Sequence, residues 1–341
     1  MPTPTSALDR FPRVPLATLP TPLEPAQRLS AELGATVWLK RDDLTGLALG
    51  GNKVRKLEFL LGAAEAEGAD TVVTFGALQS NHARQTAAAC ARRGLRCELV
   101  LTTAVARDGE AYVRSGNVLL DHLLGATCTV VPNDDDAMAA TVAEVSARIA
   151  ARGGRARWIP PGGSDAVGTL GYVAAGVELA GQLDAAGVGR DAVVHVAVST
   201  GGTLAGLLTG LRLAGSGAEV RGVDVYRPAD VTRPRVAGLL AEVADLLGTD
   251  PVPLDEVHLD DAWLGRGYGL PTPEMLDALR LVARTEGVLL DPVYSGKAMA
   301  ALVGSCRPGA KRPGAPQVFV HTGGVPGLFA YPDVLGERQP S

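Results

Sequence analysis

Ala192-Val193-Val194-His195-Val196-Ala197-Val198-Ser199-Thr200-Gly201-Gly202-Thr203 is the stretch whose reading decides the fold. Its first seven residues are a β-branched, apolar run. A run of five small residues follows, then a helix-like stretch from about Thr203 to Leu213 and a second apolar run, Val220 to Val225. A near-continuous apolar strand bounded by helical segments reads as an inner strand of a parallel sheet covered on both faces. The turn between strand and helix carries chemistry as well. Successive backbone N–H groups at a helix start form an anion nest, and the hydroxyls of Ser199, Thr200 and Thr203 add donors, so a phosphate is the natural guest. The alternative is a tight βα turn with an ordinary N-cap.

The same alternation extends outward. On the N-terminal side, strand-like runs at 71–75, 97–101, 127–131 and 156–159 alternate with helix-like stretches at 83–93, 112–124 and 137–151, and residues 166–185 read as a long helix. Pro160-Pro161-Gly162-Gly163 separates two βαβ series and is the hinge candidate. On the C-terminal side, Val288-Leu289-Leu290 and Gln317 to Val320 read as strands. Residues 248–273, rich in Gly, Pro and Asp and poor in periodicity, read as an excursion over the surface or cleft. Strands that alternate with helices in this way imply parallel sheets throughout.

A chain of 341 residues fits about two domains of roughly 150 residues each. With 46% hydrophobic and 20% charged residues it is expected to be a soluble globular protein. A net charge of −5 argues against general nucleic-acid binding. No run reaches the ~20 apolar residues of a membrane span. The proline-rich N-terminus lacks the apolar segment of a signal peptide, which favours the cytoplasm. Cys90, Cys97, Cys128 and Cys306 form no CxxC pair and read as free thiols. The histidines at 82, 122, 195, 258 and 321 have no close metal-ligand spacing, so no metal is expected.

Four further motifs carry chemistry. In Gly50-Gly51-Asn52-Lys53-Val54-Arg55-Lys56 a lysine follows a tight turn and opens an apolar, helix-like run. Burial in a cleft lowers a lysine's pKa and makes its amine a nucleophile, which suits a Schiff-base lysine for pyridoxal phosphate (PLP). The bland alternative is a solvated lysine at a helix start. No Ser or Thr follows the lysine, so the stretch is not a P-loop. Gln79-Ser80-Asn81-His82 follows the strand near 71–75, where open α/β sheets bind ligands. Ser80, Asn81 and the adjoining N–H groups suit a carboxylate, and plain capping is the alternative. Asp291-Pro292-Val293-Tyr294-Ser295-Gly296-Lys297 places a tyrosine that can serve as acid or base where neighbouring charges lower its pKa; otherwise its ring simply packs. His321-Thr322-Gly323-Gly324 offers the Thr322 hydroxyl to a ligand nitrogen, or is a glycine turn closing the sheet. All five motifs are expected at strand ends, where one cleft gathers them.

Together these motifs resemble the PLP-dependent 1-aminocyclopropane-1-carboxylate (ACC) deaminase / D-cysteine desulfhydrase family. The resemblance runs from about Leu19 to Phe329 and is carried by Leu39–Asp43, Gly50–Leu57, Gln79–Gln85, Ser199–Thr203, Asp291–Lys297 and His321–Gly324. It implies fold type II (tryptophan synthase β-like): two doubly wound open-sheet α/β domains, with the cofactor in the cleft and commonly a homodimer. The corresponding division is 1–52 with 164–341 as the large domain and 53–163 as the small one. By resemblance Lys53 holds PLP and Asn81 meets its phenolic oxygen. Ser199, Thr200, Gly201, Gly202 and Thr203 cradle its phosphate. Ser80 and His82 lie near the substrate carboxylate, and Tyr294 and Tyr268 face the substrate. ACC deaminases of the family typically carry Glu after the tyrosine and Leu before the final Gly-Gly. This chain has Ser295 and Thr322. Hydroxyls leave a pyridine nitrogen less protonated than a carboxylate does, which gives a weaker electron sink. That favours expulsion of a β-sulfur group over ring opening, with D-cysteine the simplest small amino-acid substrate. L-cysteate or another sulfur amino acid, ACC itself, and a sensor without turnover remain the alternatives.

Overall fold

The computed structural model describes residues 7–332 except 308, 310, 311 and 313. The described strands are β1 (Leu23–Pro25), β2 (Val37–Lys40), β3 (Thr71–Ala77), β4 (Arg96–Thr102), β5 (Thr127–Val131), β6 (Ala156–Ile159), β7 (Val193–Val198), β8 (Glu219–Asp224), β9 (His258–Asp260) and β10 (Gln317–Val320). The helices are α1 (Gln27–Leu33), α2 (Lys53–Ala66), α3 (Asn81–Arg93), α4 (Glu110–Arg114), α5 (Gly116–Leu123), α6 (Asp135–Ala151), α7 (Ala166–Ala185), α8 (Gly202–Leu213), α9 (Ala229–Leu247), α10 (Pro273–Glu286), α11 (Ser295–Ser305) and α12 (Val325–Leu328). Two sheets result. One has six strands in the order β1-β2-β10-β7-β8-β9, the other four in the order β5-β4-β3-β6. Both are open α/β sheets with helices between most of their strands, as the resemblance implied.

Each sheet is buried on both faces, as period-two alternation requires. In β10, Val318 and Val320 pack with the α7, α8 and α9 core, while Phe319 between them packs with α1, α10 and α11. In the small sheet Val72, Leu99 and Leu101 join the α2, α3 and α5 core, whereas Val73 and Val100 meet Val145 and Ile149 of α6.

Four expectations are corrected. The large sheet is mixed, because β1 pairs antiparallel with β2. Residues 248–273 contain an element of the sheet, since β9 extends it beyond β8. The stretch 112–124 is two helices, broken at Ser115. There Gln79 Nε2 takes the carbonyls of Tyr112 (2.6 Å) and Ser115 (3.0 Å), which a continuous helix would use internally. Val288-Leu289-Leu290 is not a strand. Its Leu289 carbonyl lies 3.0 Å from His321 Nε2, and just past the run the Asp291 N–H donates to Ser295 Oγ at 2.7 Å.

A buried ionic network ties the start of α2 to the large sheet. Arg55 Nε and Nη2 donate to Asp42 at 3.0 and 2.9 Å, Tyr172 Oη donates to Asp42 Oδ2 at 2.6 Å, and Glu178 joins Arg55 to Lys40. Burial alone would raise Asp42, but the Arg55 guanidinium holds its carboxyl below the ordinary range. The Arg55 backbone also approaches α7 so closely that a Cβ on Gly171 would lie 2.2 Å from Arg55 O. The lysine two residues earlier therefore rides on a fixed helix start.

Candidate active site

A cavity of about 340 Å³ opens where β3, β7, β8 and β10 end at their carboxyl edges. Of the sequence-expected residues, Lys53, Ser80, Asn81, His82, Ser199, Thr200, Gly201, Thr203, Tyr268, Tyr294 and Thr322 line it. Two do not. Gly202 turns away: a Cβ there would meet Lys56 Nζ, Ser164 Oγ and Thr169 Oγ1 within 3.0 Å. Ser295 is buried behind the wall, where its hydroxyl donates to Asp291 Oδ2 at 2.6 Å. The strand-end expectation also needs correction. Only the motifs at 79–82, 199–203 and 321–324 follow strands. Lys53 opens α2, and Tyr294 follows irregular chain and precedes α11.

Lys53 is the pivotal group. Burial lowers its pKa from 10.5 to about 8. Three residues on, Lys56 Nζ sits 2.9 Å from Ser164 Oγ and 3.2 Å from Gly162 O, with its pKa driven well down by burial and by Lys53. Ser164 Oγ in turn lies 2.6 Å from Thr200 Oγ1. Asn52 Nδ2 donates to Thr203 Oγ1 at 3.0 Å. Gly201 takes φ +87°, which a side chain disfavours, and a Cβ there would press on Val236 and Leu239 at 3.2 and 3.3 Å. The opening N–H groups of α8 lack helical acceptors and lie in this cradle. No Asp or Glu is among the cavity-lining residues. Half-buried Lys53 on the cavity wall, buried Lys56 behind it, a nest of N–H groups and no acid in the lining describe a site that suits an anion, and a phosphorylated aldehyde fits it.

On the opposite side, Ser80 Oγ caps α3 by accepting from Ala83 N at 3.1 Å, which leaves its hydroxyl proton for the cavity. The capping reading holds, and it leaves the binding reading open to the same hydroxyl. His82 departs from the carboxylate role expected of it. Thr74 Oγ1 donates to Ile159 O at 2.9 Å, so His82 Nε2, 2.8 Å away, must be the donor to Thr74. Burial and the two lysines push the ring's pKa well down, so it is neutral and offers only the unpartnered Nδ1 acceptor. A neutral acceptor does not attract a carboxylate.

Tyr294 and Tyr268 share a hydrogen bond between their hydroxyls, with Tyr226 packed edge-on against Tyr268 at 4.9 Å between centroids. The condition set for Tyr294 as a base, a pKa lowered by neighbouring charge, is not met. Burial raises it, and Asp291 behind it raises it further. Asp291 itself is saturated by the N–H groups of Val293, Tyr294 and Ser295 and by the Ser295 hydroxyl. Lys297 Nζ holds the carbonyls of Leu264 (2.8 Å) and Gly267 (3.0 Å), and so fixes the loop that presents Tyr268.

Sequence reasoning passed over Lys56, Ser164 and Tyr226. The first two sit in motifs quoted for other residues or beside the hinge, and only their three-dimensional proximity to α8 marks them. Tyr226 had a usable signal, since it follows a strand end. Cys90 and Cys97 are buried, Cys128 and Cys306 half-buried, all four are unpaired, and none lines the cavity. Its contact with Cys90, then burial, raises Cys97 well above the ordinary thiol value; burial pushes Cys128 to about 11 and also raises Cys306. No group of His, Cys, Asp and Glu among the described residues is disposed to hold a metal ion, and no described helix is long and apolar enough to cross a membrane.

Comparison with known proteins bears on this geometry directly. A family model described as "Pyridoxal-phosphate dependent enzyme" matches residues 14–323. The chain belongs to that family. This PLP enzyme is 45% identical over 327 residues to a D-cysteine desulfhydrase of Yersinia pestis (strain Pestoides F), covering 95% of the chain and 97% of the relative. Against the D-cysteine desulfhydrase of Salmonella paratyphi B the identity is 44% over 330 residues, with 96% and 98% covered. A solved structure titled "Crystal Structure Analysis of the ACC deaminase homologue" superposes with TM-score 0.87 at 39% identity, covering 98% of both chains. The cofactor is PLP, and the residues described above fit it.

Proposed function

We propose that this PLP enzyme is a lyase that converts D-cysteine and water to pyruvate, sulfide and ammonia. The observation that carries the choice of reaction is the lining of the cavity, which contains hydroxyls and neutral phenols but no carboxylate. Thr322 is the hydroxyl that would meet the pyridine nitrogen. Ser295, bonded to Asp291, contributes only by not being an acid. Bound there, PLP supplies the electron sink for bonds at the substrate Cα, and a nitrogen facing a hydroxyl makes that sink a shallow one. Expulsion of sulfur from Cβ is within its reach. The names of the relatives agree with this choice.

The chain's own residues divide the work. Ser199–Thr203 and the Asn52–Thr203 pair would hold the phosphate, with Lys56 behind them through Ser164, and the Asn81 amide would meet the phenolic oxygen. Ser80 Oγ–H and the first N–H groups of α3 receive the substrate carboxylate. Lys53, with a pKa about 8, accepts the α-proton at Nζ near neutral pH. Tyr294, kept protonated by burial and steadied by Tyr268, hands its Oη proton to the departing sulfur. His82 shapes the pocket without adding charge.

The division into 1–52 with 164–341 and 53–163 is supported by the strands, since those at 71–159 form the small sheet and the rest the large one. A homodimer is what the resemblance to the family implies. A reducing cytoplasm agrees with four unpaired thiols. The test of function is a substrate panel of D-cysteine, L-cysteate and ACC, assayed for pyruvate, 2-oxobutyrate, sulfide and sulfite. D-cysteine should give the highest kcat/KM. A higher value with ACC refutes the electron-sink argument, and a higher value with L-cysteate moves the leaving group from sulfide to sulfite.

A further inference from the structure

Behind the cavity lies a chain of polar contacts that no step above uses. Asn117, on α5, is fully buried. Its Oδ1 accepts from Arg84 Nε at 3.1 Å, and its Nδ2 donates to Gln79 O at 3.0 Å and to Asn81 Oδ1 at 3.0 Å. A guanidinium can only donate and a backbone carbonyl can only accept. The Asn117 amide is therefore held from both ends in one orientation. That orientation determines the next link: with Oδ1 of Asn81 occupied, the side of Asn81 left for the cavity is its N–H donor. Arg84 itself is anchored on the lysine loop. Its Nη1 donates to the carbonyls of Ala48 and Gly50, at 2.9 Å for the latter, in the turn where Ala48 and Leu49 take positive φ just ahead of Lys53. Burial lowers the Arg84 pKa only to about 10, with Asp121 facing it, so it remains a cation at neutral pH.

We propose that Arg84 and Asn117 are positioning residues that lock Asn81 as a hydrogen-bond donor toward the cofactor's phenolic oxygen. The proposal rests on the reading that Asn81 meets that oxygen. One buried cation thereby sets two things at once, the path of the loop that delivers Lys53 and the polarity of the amide across the ring. A donor at the phenolic oxygen stabilises its anionic form, and an acceptor repels it. The orientation of a single amide thus bears on how tightly the cofactor binds and on the pH at which its colour changes.

The test uses full-length protein reconstituted with PLP and no substrate. Two quantities are read: the equilibrium Kd for PLP, and the apparent pKa of the colour change of the bound cofactor. Asn117→Asp is the main variant. It keeps the size and still accepts from Arg84, but it has no N–H for Asn81, so Asn81 is free to turn its carbonyl to the cofactor. We expect PLP to bind about ten- to a hundred-fold more weakly and the colour transition to move to higher pH. Arg84→Met is the second variant and is read in its place if Asn117→Asp does not fold. Asn81→Ala tests the underlying reading. If it changes neither quantity, Asn81 does not meet the phenolic oxygen and the proposal falls with that reading. If Asn81→Ala changes both but the folded Asn117 or Arg84 variant changes neither, the positioning role alone is overturned. A role through Asn81 also predicts non-additivity, with Asn81→Ala/Asn117→Asp moving the colour transition no further than Asn81→Ala. A full additional shift in the double variant means that Asn117 acts by another route and overturns the proposal.

Discussion

The reactivity of Lys53 can be tested by titrating the empty enzyme. Its amine must be unprotonated to attack an aldehyde, and burial brings its pKa from 10.5 to about 8. At pH 7 about one Lys53 in ten is then free amine, against roughly one in three thousand for a lysine in water. The sign is fixed by the chemistry: the rate of cofactor incorporation rises with pH and levels off above about 8. The assay mixes cofactor-free protein with excess PLP from pH 6 to 9.5 and follows the yellow colour by stopped flow. Borohydride reduction and peptide mass spectrometry then place the label on Lys53. A rate that still climbs tenfold per pH unit through 9.5 refutes the reasoning, because Lys53 would then titrate as an ordinary lysine. Colour that forms normally in Lys53→Ala refutes the choice of residue.

Other perturbations separate binding, chemistry and stability. Thr203→Ala removes the hydroxyl held by Asn52, and Gly201→Val crowds Val236 and Leu239; both should weaken PLP retention by about tenfold or more, measured by equilibrium titration, with little change in turnover at saturating cofactor. Tyr294→Phe should lower kcat for D-cysteine by about 10²–10⁴ while PLP affinity stays as in the parent, because the lost group is a proton donor and not an anchor. Asp42→Asn strips the counter-charge from buried Arg55 and should cost about 3–5 kcal/mol in urea unfolding. A loss below about 1 kcal/mol would mean that Glu178 alone compensates Arg55.

Much of this was legible where burial is written into the residues. The run at 192–198 had to be an inner strand because it is apolar on both faces, and the 166–185 helix and the strands at 127–131, 156–159 and 317–320 fall where the periodicity places them. Two of the missed strands share a cause. β1 and β9 are three-residue edge strands, one ending in Pro25 and the other in Asp260, with too few residues to show a period. Val288–Leu290 has strand composition, but its Leu289 carbonyl lies against His321 Nε2 and the adjoining Asp291 N–H donates to Ser295 Oγ, contacts that composition does not record. The site divides in the same way. Its glycines, hydroxyls and Lys53 stand in contiguous motifs, whereas Lys56 reaches Thr200 only through Ser164, more than a hundred residues away in the chain. The protonation states of Tyr294 and His82 were out of reach because burial and hydrogen-bond direction set them.

The placement of the cysteines bears on how long such a catalyst lasts. An enzyme that releases sulfide where oxygen is present works amid persulfides and polysulfides, and thiolates are the groups that capture sulfane sulfur. Here every cysteine lies away from the cavity, and Cys97, Cys128 and Cys306 are held as thiols by pKa values above the ordinary one. Set apart from the cavity, and in three of four cases raised in pKa, these thiols are poor acceptors for the sulfur that the product would mobilise.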